Sequence, residues 1–310
     1  MHLLLAITGD PKAQRWIEAF QRQLPDARIS VWSDDAEPVD ADYAVVWHPP
    51  AALFTRETRL RAVFNIGAGV DGLLSVPTLP ADLPVIRLED AGMSVQMAEY
   101  VLHALWEVSR DFAAYRRQEP EGNWKVLPVT RREQWTVGVL GLGQVGRRVA
   151  EATASFGYPT AGWSRTPREI AGIETFAGSD ALPAFLARTR VLVNVLPLTD
   201  DTRDILAAPL FAQLPQGAHV INVGRGQHLV EDDLLAALES GQLAGATLDV
   251  FRTEPLPAEH AFWRHPAITV TPHTAARTLR AESVAQIAGK IRRLESGEDA
   301  GGQVERGRGY

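Results

Sequence analysis

One stretch limits what this chain can fold into more than any other: Thr136-Val-Gly-Val-Leu-Gly141-Leu-Gly143-Gln-Val-Gly146-Arg-Arg148. The apolar run at 137–140 predicts a buried strand. Val145, Val149, Ala152 and Phe156 then follow at helical spacing. Strand, glycine turn and helix in that order are the setting in which G-x-G-x-x-G carries meaning. Gly141 permits the tight turn, Gly143 lets the backbone approach a pyrophosphate, and Gly146 lets helix and strand pack closely. The helix start adds unpaired N–H groups and partial positive charge. The stretch predicts a dinucleotide cradle; a bare turn is the competing reading, and both flanking elements weigh against it.

The rest of the chain alternates strand-like and helix-like segments around this turn. Apolar runs at 3–7, 29–32, 43–47, 62–66 and 85–88 predict strands, with a helical stripe of Trp16, Ile17, Phe20 and Leu24 after the first. A long helix is expected at 96–115 from Met97, Val101, Ala104, Leu105 and Val108, ending before Glu119-Pro120-Glu-Gly122. Further strands are predicted at 137–140, 160–163, 191–195, 219–223, 246–250 and 268–271. Helices are predicted between them at 144–156, 181–187, 206–214 and 231–238. Such alternation specifies parallel sheets covered on both faces, an α/β class of two doubly wound domains. A last helical pattern, Val284, Ile287, Ala288, Ile291 and Leu294, lies beyond the second sheet and is expected to pack back on the first unit. The expected division is 1–95 plus 276–310 for one domain and 96–275 for the cofactor-binding one. At 310 residues the chain exceeds a single typical core, which agrees with two.

Bulk properties exclude several classes of function. A net charge of −7 argues against nucleic acid and anionic membranes as partners. With no cysteine, disulfides, thiolate catalysis and cysteine-ligated zinc are ruled out, and a reducing, cytoplasmic setting is expected. The opening Met1-His-Leu-Leu-Leu-Ala-Ile-Thr-Gly-Asp10 lacks a basic start and reads as a strand, not a signal peptide. No apolar run approaches the roughly 18 residues of a membrane span.

Chemistry gathers where strands end. After the predicted strand at 160–163 the chain reads Ser164-Arg165-Thr166, where a carboxylate would hydrogen-bond the ribose 2′-hydroxyl of NAD. A cation flanked by hydroxyls suits a 2′-phosphate instead, so NADP(H) is the expected cofactor, with NAD(H) as the alternative; Arg147 or Arg148 could add positive potential. Arg225 in Asn222-Val-Gly-Arg-Gly226, Glu254 in Asp249-Val-Phe-Arg-Thr-Glu-Pro255 and His273 in Thr271-Pro-His-Thr274 each follow a strand. Together they suit reduction of a 2-oxo acid. The guanidinium grips the carboxylate and the imidazolium donates a proton, while the acid raises the histidine pKa. A second glycine run, Gly67-Ala-Gly-Val-Asp-Gly72, can be read as a flexible turn or as a nest of amides for one carboxylate. Trp47 and Trp124 lie in loop-like surroundings and are candidates for a pocket wall, and Arg277 and Arg280 for extra cations. The remaining histidines (His2, His48, His103, His219, His228, His260, His265) share no metal-ligand spacing, so no metal is expected.

Gly141-x-Gly143-x-x-Gly146, Asn222-Val-Gly-Arg225-Gly, Leu248-Asp-Val-Phe-x-x-Glu254-Pro and Thr271-Pro-His273 resemble, in order and spacing, the D-2-hydroxyacid dehydrogenase family. The resemblance covers nearly the whole chain. It looks closest to the glyoxylate/hydroxypyruvate reductase A group through Trp163-Ser-Arg, Val230-Glu-Asp-Asp-Leu-Leu-Ala-Ala-Leu, Glu254-Pro-Leu-Pro and Arg306-Gly-Arg-Gly-Tyr310. It implies a Rossmann cofactor domain inserted into a discontinuous flavodoxin-like substrate domain. It also implies Arg225 as carboxylate binder, His273 as proton donor and Glu254 as its partner. Gln144 and Val145 match the pyrophosphate loop, Leu196 and Pro197 the wall beside the adenosine, and Asp249 the residue holding the carboxamide; Val223 and Gly224 complete the cofactor set. Ala68 and Gly69 match the loop whose backbone grips the substrate carboxylate. A homodimer through the cofactor domain is implied, with Trp124 in the segment that can reach a partner's site. Many relatives have Ile or Val and then Gly after the histidine, where Thr274-Ala275 stands here. Reduction of glyoxylate and hydroxypyruvate is the implied activity. The rivals are dehydrogenases of phosphoglycerate, lactate-like acids or formate, and a non-catalytic dinucleotide sensor.

Overall fold

A computed structural model describes residues 1–7 and 13–309. The sequence readings at Thr8-Gly-Asp10 and Tyr310 lie outside them. The described chain forms two compact units, Met1–Gly92 with Thr278–Tyr310, and Met93–Arg277.

The first unit opens with β1 (His2–Ile7), α1 (Ala13–Gln23), β2 (Arg28–Val31), β3 (Tyr43–Trp47), α2 (Ala52–Arg56), β4 (Ala62–Asn65), α3 (Asp71–Leu74) and β5 (Val85–Arg87). All five strands are parallel, in the order β2-β1-β3-β4-β5, the flavodoxin-like arrangement. Both faces of β1, β3 and β4 are buried, which is why they read as unbroken apolar runs and not as alternating ones.

The second unit contains α4 (Met93–Ser109), α5 (Phe112–Gln118), β6 (Val137–Leu140), α6 (Gln144–Ser155), β7 (Thr160–Ser164), β8 (Glu174–Ala177), α7 (Leu182–Ala187), β9 (Val191–Asn194), α8 (Ala208–Phe211), β10 (Ala218–Asn222), α9 (Glu231–Glu239), β11 (Leu243–Leu248) and β12 (Ile268–Val270). Its seven-stranded parallel sheet runs β12-β11-β10-β9-β6-β7-β8. Successive core residues alternate between two clusters. Leu140, Leu192 and Val220 join Phe185, Phe211 and Leu234 on one side, while Val139, Val193 and Ile221 join Leu105 and Val149 on the other. That is the period-two alternation of a sheet with helices on both faces. The strand order reverses between β6 and β9, the point where doubly wound sheets open a crevice at their carboxyl ends.

Two sequence expectations change here. The helix expected at 96–115 is two: α4 stops at Ser109, Asp111 takes a left-handed backbone (φ 51°), and α5 begins at Phe112 with no buried residue to keep it in line. The sheet has a seventh strand, β8, which the reading omitted. Glu174-Thr-Phe-Ala177 is an edge strand with no buried residue, so it has no apolar run to reveal it.

After the second unit, α10 (Arg280–Glu295) returns to the first and packs on α1. Its buried Lys290 donates to Glu89 at 2.7 Å and to the carbonyls of Gly301 (2.7 Å) and Ala300 (3.2 Å). This charge pins the Gly-rich tail, which then bonds along β5 through Arg87 N–H to Gly302 and Val304 N–H to Val85. Among the described residues no helix is long and apolar enough to cross a membrane.

Candidate active site

Because the strands of the second sheet are all parallel, their carboxyl ends share one edge. The turn after β6 meets the demands of a phosphate cradle residue by residue. Gly141 has φ +100°, a conformation that side chains rarely adopt. A methyl group on Gly146 would lie 1.7 Å from the Gly141 carbonyl oxygen, so helix and strand meet there only because no side chain intervenes. Gly143 caps α6, is exposed, and has open space over its Cα. Exposed Gln144 and half-buried Val145 begin the helix. Bare amides facing open space at a helix start fit a pyrophosphate.

At the end of β7 the Ser164 hydroxyl donates to the Thr166 carbonyl at 2.8 Å and folds the turn, leaving Arg165 and Thr166 exposed. Arg147 is paired with Glu151 at 2.7 Å along its own helix. Leu196 and Pro197 follow β9; Leu196 is buried and the Pro197 carbonyl accepts from Thr202 Oγ1 at 2.7 Å.

Arg225, Glu254 and His273 all belong to the second unit and converge. His273 Nδ1 lies 2.8 Å from Glu254 Oε2. Glu254 Oε1 accepts from Phe251 N–H at 2.9 Å, so both carboxylate oxygens are engaged. An ionised carboxylate only accepts, which assigns the Nδ1 proton to His273 and leaves Nε2 as the outward-facing nitrogen. The Glu254 hydrogen bond raises the His273 pKa above its ordinary value; burial and the Arg225 charge oppose this without cancelling it. Burial pushes Glu254 up, but the bonds from His273 and Phe251 and the charges of His273 and Arg225 bring it below the usual range. The Glu254 loop can lie against the Arg225 loop because residue 226 is glycine: a methyl group there would meet the Phe251 carbonyl carbon at 1.8 Å.

His273 has a left-handed backbone (φ 49°), which a non-glycine residue keeps only when its surroundings impose it. Buried Asp249 imposes it. Its backbone carbonyl accepts from His273 N–H at 2.8 Å, and its carboxylate accepts from Thr274 N–H (2.8 Å), Ala275 N–H (2.9 Å) and Thr271 Oγ1 (2.6 Å). The Tyr100 hydroxyl meets Thr271 Oγ1 at 2.6 Å from α4. Asp249 thus clamps the turn that presents His273, a role the sequence reading did not foresee.

In the first unit, Trp47 ends β3 and the 66–70 turn follows β4. Asn65 Nδ2 donates to the carbonyls of Gly67 and Gly69, both at 2.9 Å, and curls the turn so that half-buried Ala68 and Gly69 present their backbone. The half-buried Trp47 ring packs on the Gly67 backbone. Trp124 is 96% exposed and lines nothing within its own unit. Arg280 stacks over Trp16 at 5.6 Å, which accounts for one proposed extra cation.

A fully buried His228, two buried strand-end asparagines and the backbone of Arg225 form a further cluster that the sequence reading passed over. Its signal was present: Val191-Leu-Val-Asn194 and Val220-Ile-Asn222 each end an aliphatic strand on an amide side chain.

The family described as D-isomer specific 2-hydroxyacid dehydrogenase, NAD binding domain, matches residues 102–275. Glyoxylate/hydroxypyruvate reductase A of Yersinia enterocolitica is 44% identical over 305 residues, covering 96% of this chain and 97% of the relative. A D-isomer specific 2-hydroxyacid dehydrogenase of Xanthobacter autotrophicus Py2, solved with NADPH and MES, superposes with a TM-score of 0.94 at 40% identity over 100% of this chain and 99% of that one. The NADPH-dependent glyoxylate/hydroxypyruvate reductase of Sinorhizobium meliloti, solved with NADP and sulfate, gives 0.93 at 37% identity over the same shares.

Proposed function

The chain belongs to the D-isomer specific 2-hydroxyacid dehydrogenase family, and from that premise we propose that it is an NADPH-dependent reductase of small 2-oxo acids, glyoxylate and hydroxypyruvate foremost. The observation that carries the reading is the His273–Glu254 pair at 2.8 Å with Arg225 acting electrostatically on both. When bound, the dinucleotide supplies the hydride that reduces the carbonyl carbon. Arg225 grips the substrate carboxylate and polarises the adjacent carbonyl. His273 Nε2 donates a proton to the oxygen as it becomes an alkoxide, and Glu254 stabilises the charged ring before the transfer and orients it. In this reading the second unit is the cofactor domain and the first the substrate domain. Incubating the protein with NADPH and a panel of 2-oxo acids, and following oxidation of the nicotinamide, tests it. Glyoxylate and hydroxypyruvate should be turned over fastest. Preference for a phosphorylated or branched acid would assign a different substrate, and no turnover with any acid would leave a sensor.

NADP(H) is the proposed cofactor because the turn after β7 offers Arg165, Ser164 and Thr166 and no carboxylate. Relatives solved with NADPH or NADP support the same choice. Arg165→Ala should lower the ratio of NADPH to NADH efficiency by about tenfold, the scale of one charge-assisted contact. An unchanged ratio would remove Arg165 from the 2′-phosphate site.

The pH profile follows from the paired imidazole. Reduction needs protonated His273. Its rate should therefore be flat below the His273 pKa and fall about tenfold per unit above it. Because Glu254 raises that pKa, the fall begins above the ordinary histidine value of about 6.5. Glu254→Gln removes the partner and should move the inflection to lower pH. A profile that stays put in Glu254→Gln would contradict the pairing as its cause.

The proposed assembly is a homodimer built on the cofactor domain. Trp124, Val126 and Val129 are 96%, 78% and 92% exposed in an irregular segment. Such concentrated apolar exposure is what a partner surface covers. Sedimentation should give a dimer, and a Trp124→Ser, Val129→Ser variant should shift towards monomer; a wild-type monomer would contradict the assembly.

A further inference from the structure

His228 is completely buried and bonded on both ring nitrogens, and nothing in the proposed chemistry uses it. Its Nδ1 faces the Arg225 N–H at 3.1 Å and Asn194 Nδ2 at 2.8 Å, and its Nε2 faces the Pro197 carbonyl at 3.2 Å. Backbone groups dictate every orientation in the cluster. Leu196 N–H can only donate, so the Asn194 atom it meets is Oδ1, and Nδ2 turns to His228 and to Asn222 Oδ1 (2.9 Å). Gly224 N–H fixes Asn222 Oδ1 in the same way, and Asn222 Nδ2 donates to the Arg225 carbonyl at 3.0 Å. Arg225 N–H likewise requires an acceptor, so Nδ1 carries no proton. The ring is the neutral tautomer with its proton on Nε2, donated to Pro197.

We propose that His228 is a positioning residue that ties the Arg225 loop to the Leu196-Pro197 loop, so that one buried neutral imidazole sets the register of the carboxylate clamp against the wall of the cofactor site. This rests on the assignment of Arg225 to the substrate carboxylate and of Leu196-Pro197 to the dinucleotide. The two loops follow β9 and β10, adjacent strands whose pairing ends at Asn194 and Asn222. Val223 N–H still bonds the Asn194 carbonyl at 3.2 Å, and between the Leu196-Pro197 and Arg225 segments that follow, the His228 ring supplies the link. A charged ring could not serve, because a second proton on Nδ1 would confront the Arg225 N–H. An aliphatic side chain would leave buried amide and carbonyl groups without partners.

The two nitrogens act on different loops, so variants that mimic one at a time give crossed results. His228→Asn sets an acceptor oxygen near the Nδ1 position and drops the link to Pro197. Its Kd for NADPH, read by fluorescence, should rise about tenfold while KM for the 2-oxo acid stays near wild type. His228→Gln reaches the Pro197 carbonyl but leaves the Arg225 N–H unserved. Its KM should rise about tenfold with NADPH affinity kept. His228→Leu should show both losses. A merely structural histidine predicts lower melting temperatures in all three with KM and Kd unchanged per folded molecule, or both constants moving together in Asn and Gln; either result overturns the proposal. If the wild-type protein reduces none of the acids, the functional reading has failed, and the inference is then decided by NADPH binding alone: an unchanged Kd in His228→Asn sinks it.

Discussion

His273→Gln should lower reductase turnover by about 10²–10⁴-fold, the usual contribution of a positioned general acid, with NADPH affinity unchanged. Glutamine keeps a polar amide near the imidazole but cannot deliver a proton at neutral pH. The prediction separates chemistry from architecture because the turn that carries His273 is held by Asp249, through bonds to the backbone of residues 273, 274 and 275. The side chain at 273 is 45% exposed, so changing it removes little packing. The melting temperature should therefore barely move. Glu254→Gln should retain more activity than His273→Gln, since it removes the partner and not the proton. Loss of cofactor binding in step with turnover would instead identify His273 as a structural residue.

Arg225→Leu should lower kcat/KM for 2-oxo acids by about 10²–10³-fold, comparable to removing a preorganised donor from a developing oxyanion. The change removes both the grip on the carboxylate and the positive charge beside the carbonyl. Arg225→Lys should recover only part of the loss, because an ammonium keeps the charge but not the planar two-pronged fork that matches a carboxylate. A substrate-side control isolates the grip: an aldehyde without a carboxylate should lose far less on the same substitution. The backbone N–H of Arg225 bonds to His228 whatever the side chain, so the loop itself should persist. Equal losses for acid and aldehyde would show that Arg225 does not hold the carboxylate.

The features legible in the sequence are those governed by local rules. The glycine turn was readable because its demands concern neighbours: Gly141 and Gly146 meet within one turn of chain. The parallel strands were readable because burial on both faces leaves unbroken aliphatic runs such as Val137–Leu140. Arg225, Glu254 and His273 were readable because each follows a predicted strand, and the family resemblance implied their roles. What escaped notice depends on partners far away in the chain. His228 gains its meaning from Asn194, 34 residues distant, and the tail at 300–304 is ordered by Lys290 and by β5. Asp249 was assigned to the cofactor, but the clamp it forms on the His273 turn is a contact across 22 to 26 residues that no spacing rule reveals. The edge strand β8 and the helix break at Asp111 were hidden for a different reason. Neither buries enough apolar surface to leave a pattern.

The most direct test of the central claim follows one atom. Hydroxypyruvate should be reduced by the protein with NADPH deuterated at the transferring face of nicotinamide C4, and the product examined by mass spectrometry and proton NMR. The account predicts D-glycerate with one deuterium at C2 and an unlabelled hydroxyl, since that proton comes from His273 and ultimately from water. Product without deuterium at C2, or no product from any small 2-oxo acid while NADPH still binds, would contradict it.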